Sequence, residues 1–581
     1  MNRARLIAAA RGEEPADLVF TNARVVNVFS GEVEDADVAL AEGHIAGVGD
    51  YAGVQAAQVV DLHRAFLAPA YIDPHIHLES TMLLPAEFAR AVLPHGTTAV
   101  VSDPHEIANV LGLDGIRLLL ALSEHLPLDF FFTLSSCVPA THLETSGASL
   151  SAGDLAQLIA HPRIVALAEL MNFPGVLFRA PEVLAKLELA HAHGKPVDGH
   201  APLLSGRDLN AYLCGGIGSD HECTHFAEAR EKLARGMWVF IREGSTEKNL
   251  RELLPLVTPV SASRCCFATD DRHPEELLAE GHLNYTVHLA VQAGLDAVTA
   301  LRLATLNPAQ YFNLRWRGAI APGYVADLQV LSGLDDGLLR PLAVYKQGQL
   351  VAESGEVAVD LPEPALEERF IHTVKLDKPL TAGDFAIPAR SKRVRVIGVI
   401  PGQILTAART ATLTEKDGAL LPDSAQDVLK LAVVERYTGA GGRSLAFVQG
   451  FGLKRGALAS SVAHDSHNLI AVGADDADLA CALNHLAERQ GGFVAVKDGA
   501  VLAEVPLPVA GLMSLCGARE VSLAVRRLNA AVRDELGCAL ASPFMALSFL
   551  ALPVIPALKL TDQGLVEVGK FDFVALEADG G

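Results

Sequence analysis

Between positions 71 and 270 the chain repeats one alternation: a short apolar run that reads as a buried strand, then a longer stretch with helical spacing. The runs fall at 71–73, 97–102, 129–133, 164–169, 196–200, 218–221, 238–242 and 265–270. Helical patterns lie between them, for example over 116–124, 181–193, 224–235 and 247–254. Eight β/α units over about 250 residues match a closed (β/α)8 barrel in number and length. A doubly wound sheet is the alternative, and eight units favour closure.

The sequence on either side of this region has a different texture. Strand patterns with Gly, Glu and Asp turns fill 17–62, and a similar β pattern returns over 319–353. Two such pieces can pair into one small sandwich with the barrel inserted between them. The expected organisation is 1–62 and 319–360 as the two parts of a small β domain, 63–318 as the barrel, and 361–374 as a polar linker opened by Pro362 and Pro364. Residues 375–581 then form a C-terminal α/β or α+β domain, with helix patterns over 477–489 and 521–534.

Composition narrows the function classes. The net charge of −22 leaves no basic surface to follow a phosphate backbone, so nucleic acid is not an expected partner. The eight cysteines form no CxxC pair, which fits reduced thiols in the cytoplasm. No apolar run reaches about 18 residues; the longest, over 544–558, is broken by Pro553 and Pro556. The N-terminal apolar run 6–10 is followed at once by Arg11, Glu13 and Glu14, so neither a signal peptide nor a membrane span is expected. The sequence leaves the formation of a homo-oligomer open.

Chemistry gathers at the ends of the expected barrel strands. His75 and His77 form a His-x-His pair after the first strand, and alternate strand residues share a face, so both imidazoles can meet one ion. Glu169 ends the fourth strand, His200 the fifth, His221 the sixth and Asp270 the eighth. The C-terminal ends of barrel strands converge on one mouth, where such barrels carry their sites. Each of these residues alone has an ordinary structural explanation. Four imidazoles and two carboxylates together exceed the needs of one tetrahedral ion and suffice for two ions bridged by a carboxylate. Imidazole and carboxylate suit manganese, iron or zinc, with no thiolate to favour zinc. The absence of a P-C-x-x-C segment excludes the single-zinc nucleobase deaminase design.

The segment Pro74-His75-Ile76-His77, followed in order by His200, His221 and Asp270, resembles the amidohydrolase superfamily. Many binuclear members of that superfamily place a carboxylated lysine on the fourth strand, whereas this strand ends in Ala168-Glu169-Leu170-Met171-Asn172. A glutamate bridge narrows the field. The segments 73–81, 102–109, 268–274 and 459–468 look like the bacterial adenine deaminase family, and the likeness spans nearly the whole chain, C-terminal domain included.

The resemblance implies hydrolysis of adenine to hypoxanthine and ammonia at two divalent ions, manganese or iron rather than zinc. It implies His75, His77, Glu169, His200, His221 and Asp270 as ligands. Asp270 would serve as the proton shuttle, Glu169 would share that work, and His105 would polarise the ring or help ammonia leave. The ordinary alternative for His105 is a loop histidine bonded to Asp103. Glu79, Glu106, Asn172, His464, Asp465 and His467 are candidates for substrate contact, and the last three could equally fix a domain interface. Asp271 is expected to point away from the centre if the eighth strand continues through it. Two rivals remain: another hydrolase of the superfamily, acting on a cyclic amide or an N-acetyl sugar, and a non-catalytic barrel scaffold.

Overall fold

The computed structural model describes residues 2–335 and 337–578. The eight barrel strands are β1 (Tyr71–Ile76), β2 (Thr97–Ser102), β3 (Asp129–Ser135), β4 (Ile164–Leu170), β5 (Val197–Gly199), β6 (Ser219–Asp220), β7 (Trp238–Arg242) and β8 (Cys265–Ala268). β1 to β5 pair in parallel, and β6 to β8 form a second parallel set. Single bridges join the two sets, from Val197 to Ile217 on one side and from Ile76 to Asp270 on the other. Every residue of β1, β2, β4 and β8 is buried, as strands covered on both faces require.

The helices between the strands follow the sequence patterns, with one correction. Helices run over Leu113–Leu122, Pro181–Ala192 and Phe226–Ala234. The helix expected over 247–254 shrinks to one turn at Leu250–Leu253, followed by a 3-10 turn at Leu254–Leu256. Pro255 offers no N–H and so cannot continue the i to i−4 ladder. Upstream, Glu243 and Lys248 pair as a β-bridge instead of starting the helix.

The flanks meet in one nine-stranded sheet. The N-terminal strands Ala16–Asn27, Glu32–Ala41, His44–Gly49, Ala56–Asp61 and Phe66–Pro69 join Leu328–Leu331, Ala343–Lys346, Gln349–Glu353 and Glu356–Val357. The seam is the antiparallel pairing of Phe66–Pro69 with Leu328–Leu331. A bridge between His44 and Val325 draws the far side of the sheet back, so it curls around Phe20, Val38, Ile45, Leu67 and Leu328.

The C-terminal part is an α+β unit on a mixed eight-stranded sheet, with helices Asp476–Arg489 and Ala518–Leu536. It packs directly on the barrel: Phe88, in the helix Pro85–Val92 between β1 and β2, and Val521 of the long helix belong to one continuous core. The amide of Ala518 donates to Glu87 Oε2 at 3.1 Å across this contact. Among the described residues no helix is long and apolar enough to cross a membrane.

Candidate active site

β1 carries His75, and His77 follows one residue after the strand ends. Glu169 lies in β4, while His200 and His221 directly follow β5 and β6. Asp270 stands two residues beyond β8 in the left-handed region, with φ 60°. Its amide donates to the His75 carbonyl at 2.9 Å, which fixes the loop against β1. Sequence positions almost 200 apart are thus held side by side by the closing edge of the barrel.

The two oxygens of Glu169 divide the histidines between them. Oε1 lies 2.9 Å from His77 Nε2 and 3.3 Å from His75 Nε2. Oε2 lies 2.8 Å from His200 Nδ1 and 3.4 Å from His221 Nε2. Asp270 Oδ1 joins the first pair, 3.2 Å from His77 Nε2 and 3.7 Å from His75 Nε2. All six residues candidate for ligation therefore meet in one place.

The electrostatics suit positive charge. Burial pushes the Glu169 carboxyl up, but the His221 and His77 imidazoles outweigh it and hold the group well below the usual carboxylate range. Burial likewise raises Asp270, and the Arg242 guanidinium together with His75 and His77 overturns this. Burial pushes the His77 imidazole down, and the neighbouring Glu169 and Asp270 drive it well above its ordinary value. Protonated imidazoles or bound cations would both satisfy such a pocket. His75 Nε2 and Glu169 Oε1 favour cations, since both are buried without a hydrogen-bond partner among the described residues. Leaving such atoms unmet costs about 1–3 kcal/mol each. Ligand-type atoms of His75, His77 and Asp270, of His75, Glu169 and His221, and of His200, His221 and Glu222 lie within 4.8 Å of one another in each group. The donor set of nitrogen and oxygen fits a divalent transition metal.

Beside this centre lies a second polar group, shared between the barrel and the C-terminal unit. His105 opens the helix after β2; its Nδ1 lies 3.1 Å from Asp103 Oδ2 and 3.8 Å from Glu169 Oε1. Both sequence explanations of His105 thus coexist: it is tied to Asp103 and it faces the centre. Its Nε2 lies 3.4 Å from Glu106 Oε1 and 3.9 Å from Asp465 Oδ1. Glu106 meets His464 Nδ1 at 2.6 Å through Oε1 and pairs with His467 Nε2 through Oε2. Asp465 Oδ2 is buried without a hydrogen-bond partner among the described residues, and burial pushes this carboxyl up to about 6.

Two of the candidates for substrate contact each give one side-chain oxygen to a backbone amide. Asn172 caps the short helix Phe173–Leu177, accepting from the Gly175 amide at 2.9 Å. Glu79 accepts from the Ile107 amide at 3.0 Å through Oε1, and burial raises its carboxyl to about 7. Its Oε2 has no hydrogen-bond partner among the described residues.

Asp271 corrects an expectation. β8 ends at Ala268 and Asp270 turns the chain at φ 60°, so strand alternation does not reach position 271. Asp271 is buried, accepts from the Ser80 hydroxyl, and its charge acts on Glu247 and His464.

The sequence reading missed Arg242 and Glu222. Arg242 ends β7, and its Nη1 donates to Asp270 Oδ2 at 2.6 Å and also to Glu222 Oε1. The rule that singled out the other residues, a polar group at the C-terminal end of a barrel strand, applies equally to Arg242.

Comparison with known proteins adds a second line of evidence. The amidohydrolase family model matches residues 66–359, and the model for the adenine deaminase C-terminal domain matches 403–572. The chain is 50% identical over 574 residues to an adenine deaminase of Desulfatibacillum aliphaticivorans, covering 98% of this chain and 99% of the relative. An adenine deaminase of Dehalococcoides mccartyi is 49% identical, with 99% of each chain covered. One from Kosmotoga olearia is 45% identical, again over 99% of each.

Proposed function

As the chain belongs to the adenine deaminase family of the amidohydrolases, whose reaction is the hydrolytic deamination of adenine, we propose that this reaction runs at the barrel mouth on a pair of divalent ions. Water supplies the oxygen at C6, the exocyclic amine leaves as ammonia, and hypoxanthine is the other product. The observation that carries the assignment is the split of Glu169, with Oε1 toward His75 and His77 and Oε2 toward His200 and His221. A carboxylate with one oxygen for each pair of imidazoles suits two neighbouring ions.

In this reading His75, His77 and Asp270 would hold one ion and His200 and His221 the other, with Glu169 shared between them. Manganese or iron suits the donor set better than zinc, because the cluster contains no thiolate. When bound, the ions supply a water acidified towards neutrality.

The chain's own groups then manage the protons. A proton must leave the attacking water and reach the purine ring and the departing amine. Asp270 is the group that takes it, with Oδ2 accepting from Arg242 at 2.6 Å. Glu169, in the same space, shares the task. His105, with Nδ1 on Asp103, keeps Nε2 toward Glu106 and Asp465 and is the group placed to ease ammonia out. His464, Asp465 and His467 bring the C-terminal unit over the mouth, where Asp465 has a carboxylate oxygen to offer a purine edge.

We place the reaction in the cytoplasm, supported by cysteines that all stand as free thiols. The test is ammonia release by manganese-loaded protein offered adenine, hydantoin or N-acetylglucosamine phosphate. One ammonia and one hypoxanthine per adenine are expected. Turnover of either other compound without turnover of adenine would overturn the reading, and inertness toward all three would favour a scaffold.

A further inference from the structure

The ligand assignment just proposed leaves one carboxylate unexplained. Glu222 directly follows His221, and its Oε1 lies 3.8 Å from His200 Nδ1 and 3.7 Å from His221 Nε2. By distance alone it is as much a ligand candidate as Asp270, and the three residues form one group of ligand-type atoms. Its chemistry is already taken. Glu222 receives Arg242 Nη1 on Oε1 and Arg242 Nη2 on Oε2 at 3.1 Å, a fork-to-fork pair. The same Nη1 holds Asp270 Oδ2 at 2.6 Å. Arg242 is 2% exposed and Glu222 7% exposed, so solvent does not loosen these contacts.

We infer that Arg242 is a positioning residue that decides which carboxylates join the metal set: it withdraws Glu222 and limits Asp270 to one oxygen. A guanidinium suits this task for three reasons. It has no lone pair and so cannot itself ligate. It stays charged at every working pH. Its planar fork reaches two carboxylates at once, which a lysine ammonium on one carbon stem does not do with fixed geometry. A ligand set enlarged by Glu222 would carry one more negative charge, and the second oxygen of Asp270 would fill a further coordination position. Such a set binds divalent ions more tightly and leaves less room for water, the reactant.

This predicts an unusual combination in Arg242→Met. Turnover falls by about 10–100-fold, the usual scale for losing an outer partner of a metal ligand, while the ions are held more firmly than in the unaltered enzyme. A residue that merely supported the fold would loosen the ions when removed. The experiment follows loss of Mn²⁺ from full-length, manganese-loaded enzyme challenged with EDTA, together with kcat and KM for adenine. Slower Mn²⁺ loss in Arg242→Met, with normal or faster loss restored in Arg242→Met/Glu222→Gln, supports the inference. Equal or faster loss in the single variant, or identical loss in both, overturns it.

Arg242→Lys provides the reading if the methionine variants do not fold. It keeps the charge but not the fork, so slower Mn²⁺ loss with reduced kcat is expected, and unchanged values of both overturn the proposal. The unaltered enzyme separates the two levels of the argument. If it carries no Mn²⁺ pair, the ligand assignment fails; if it carries the pair and the variants release it alike, only the role of Arg242 fails.

Discussion

Replacing Asp270 by asparagine asks one oxygen to do the work of two. In the structure Oδ1 faces His77 at 3.2 Å and Oδ2 accepts from Arg242 at 2.6 Å. An amide that turns its oxygen to Arg242 presents an NH2 group, which cannot ligate, to the histidines. Turned the other way, the NH2 group meets the guanidinium donor to donor. The second choice forfeits a hydrogen bond to a charged group, worth about 1.5–3 kcal/mol, so the first is favoured and metal content falls. The base is lost in either orientation, because an amide does not accept a proton near neutral pH. Loss of a general acid–base costs at least about 10²-fold, or about 2.7 kcal/mol of activation free energy. Asp270→Asn is therefore expected to lower kcat by about 10²-fold or more and to carry less than the full complement of metal. Steady-state kinetics with elemental analysis of the same preparation measure both. Asp271→Asn is the comparison: the Ser80 hydroxyl can still donate to the amide oxygen, so the loss stays within about tenfold, the scale of one neutral hydrogen bond. Full metal content with kcat within tenfold of the unaltered enzyme in Asp270→Asn would refute the reasoning. Exchanged phenotypes would move the base to Asp271.

Three further outcomes are expected. Stripping the metal with a chelator abolishes deamination, and manganese or iron restores it better than zinc; full activity in the stripped protein contradicts the ligand assignment. His467→Phe removes one hydrogen-bond partner of the buried Glu106 carboxylate, a loss of about 1.5–3 kcal/mol, and should raise KM for adenine if the 464–467 segment closes over substrate. An unchanged KM would make the segment a domain contact alone. Lys559 is buried and donates to the carbonyls of Ile404 and Phe549, and burial pushes its ammonium down to about 7. An unfolded lysine titrates near 10.4, so between these values the unfolded chain binds more protons and stability rises with pH. Below pH 7 both states are charged and the folded state bears the full penalty. The Tm advantage of Lys559→Met over the unaltered protein should be largest near pH 6 and shrink toward pH 10, and a difference that does not vary with pH would contradict this.

The barrel was legible because its strands are buried on both sides and so appear as short, largely apolar runs; β8, over Cys265–Ala268, is an example. The six ligand candidates were legible because each marks a strand end, where period-two geometry and barrel topology fix the direction of a side chain. The rule failed where the backbone left the strand. Asp270 sits at φ 60°, and Asp271 consequently faces Ser80 instead of the far side. Arg242 escaped notice because an arginine ending a strand usually reaches solvent, and only the closed barrel brings Glu222 and Asp270 onto it. The docking of His467 on Glu106 spans 361 residues, and no local pattern encodes so distant a contact. The helix expected over 247–254 lost its start to the Glu243–Lys248 bridge and its end to the turn at Pro255.

The central claim is that Glu169 joins two ions. The most direct measurement is metal per chain for unaltered and Glu169→Gln protein, each loaded with manganese and freed of excess ion. The account predicts about two ions per chain in the unaltered enzyme, since six ligands exceed what one tetrahedral ion needs. Glu169→Gln should lose the pair and the activity together, because a neutral amide is a poor bridge between two cations. A glutamine variant that keeps both ions and near-normal turnover of adenine would contradict it.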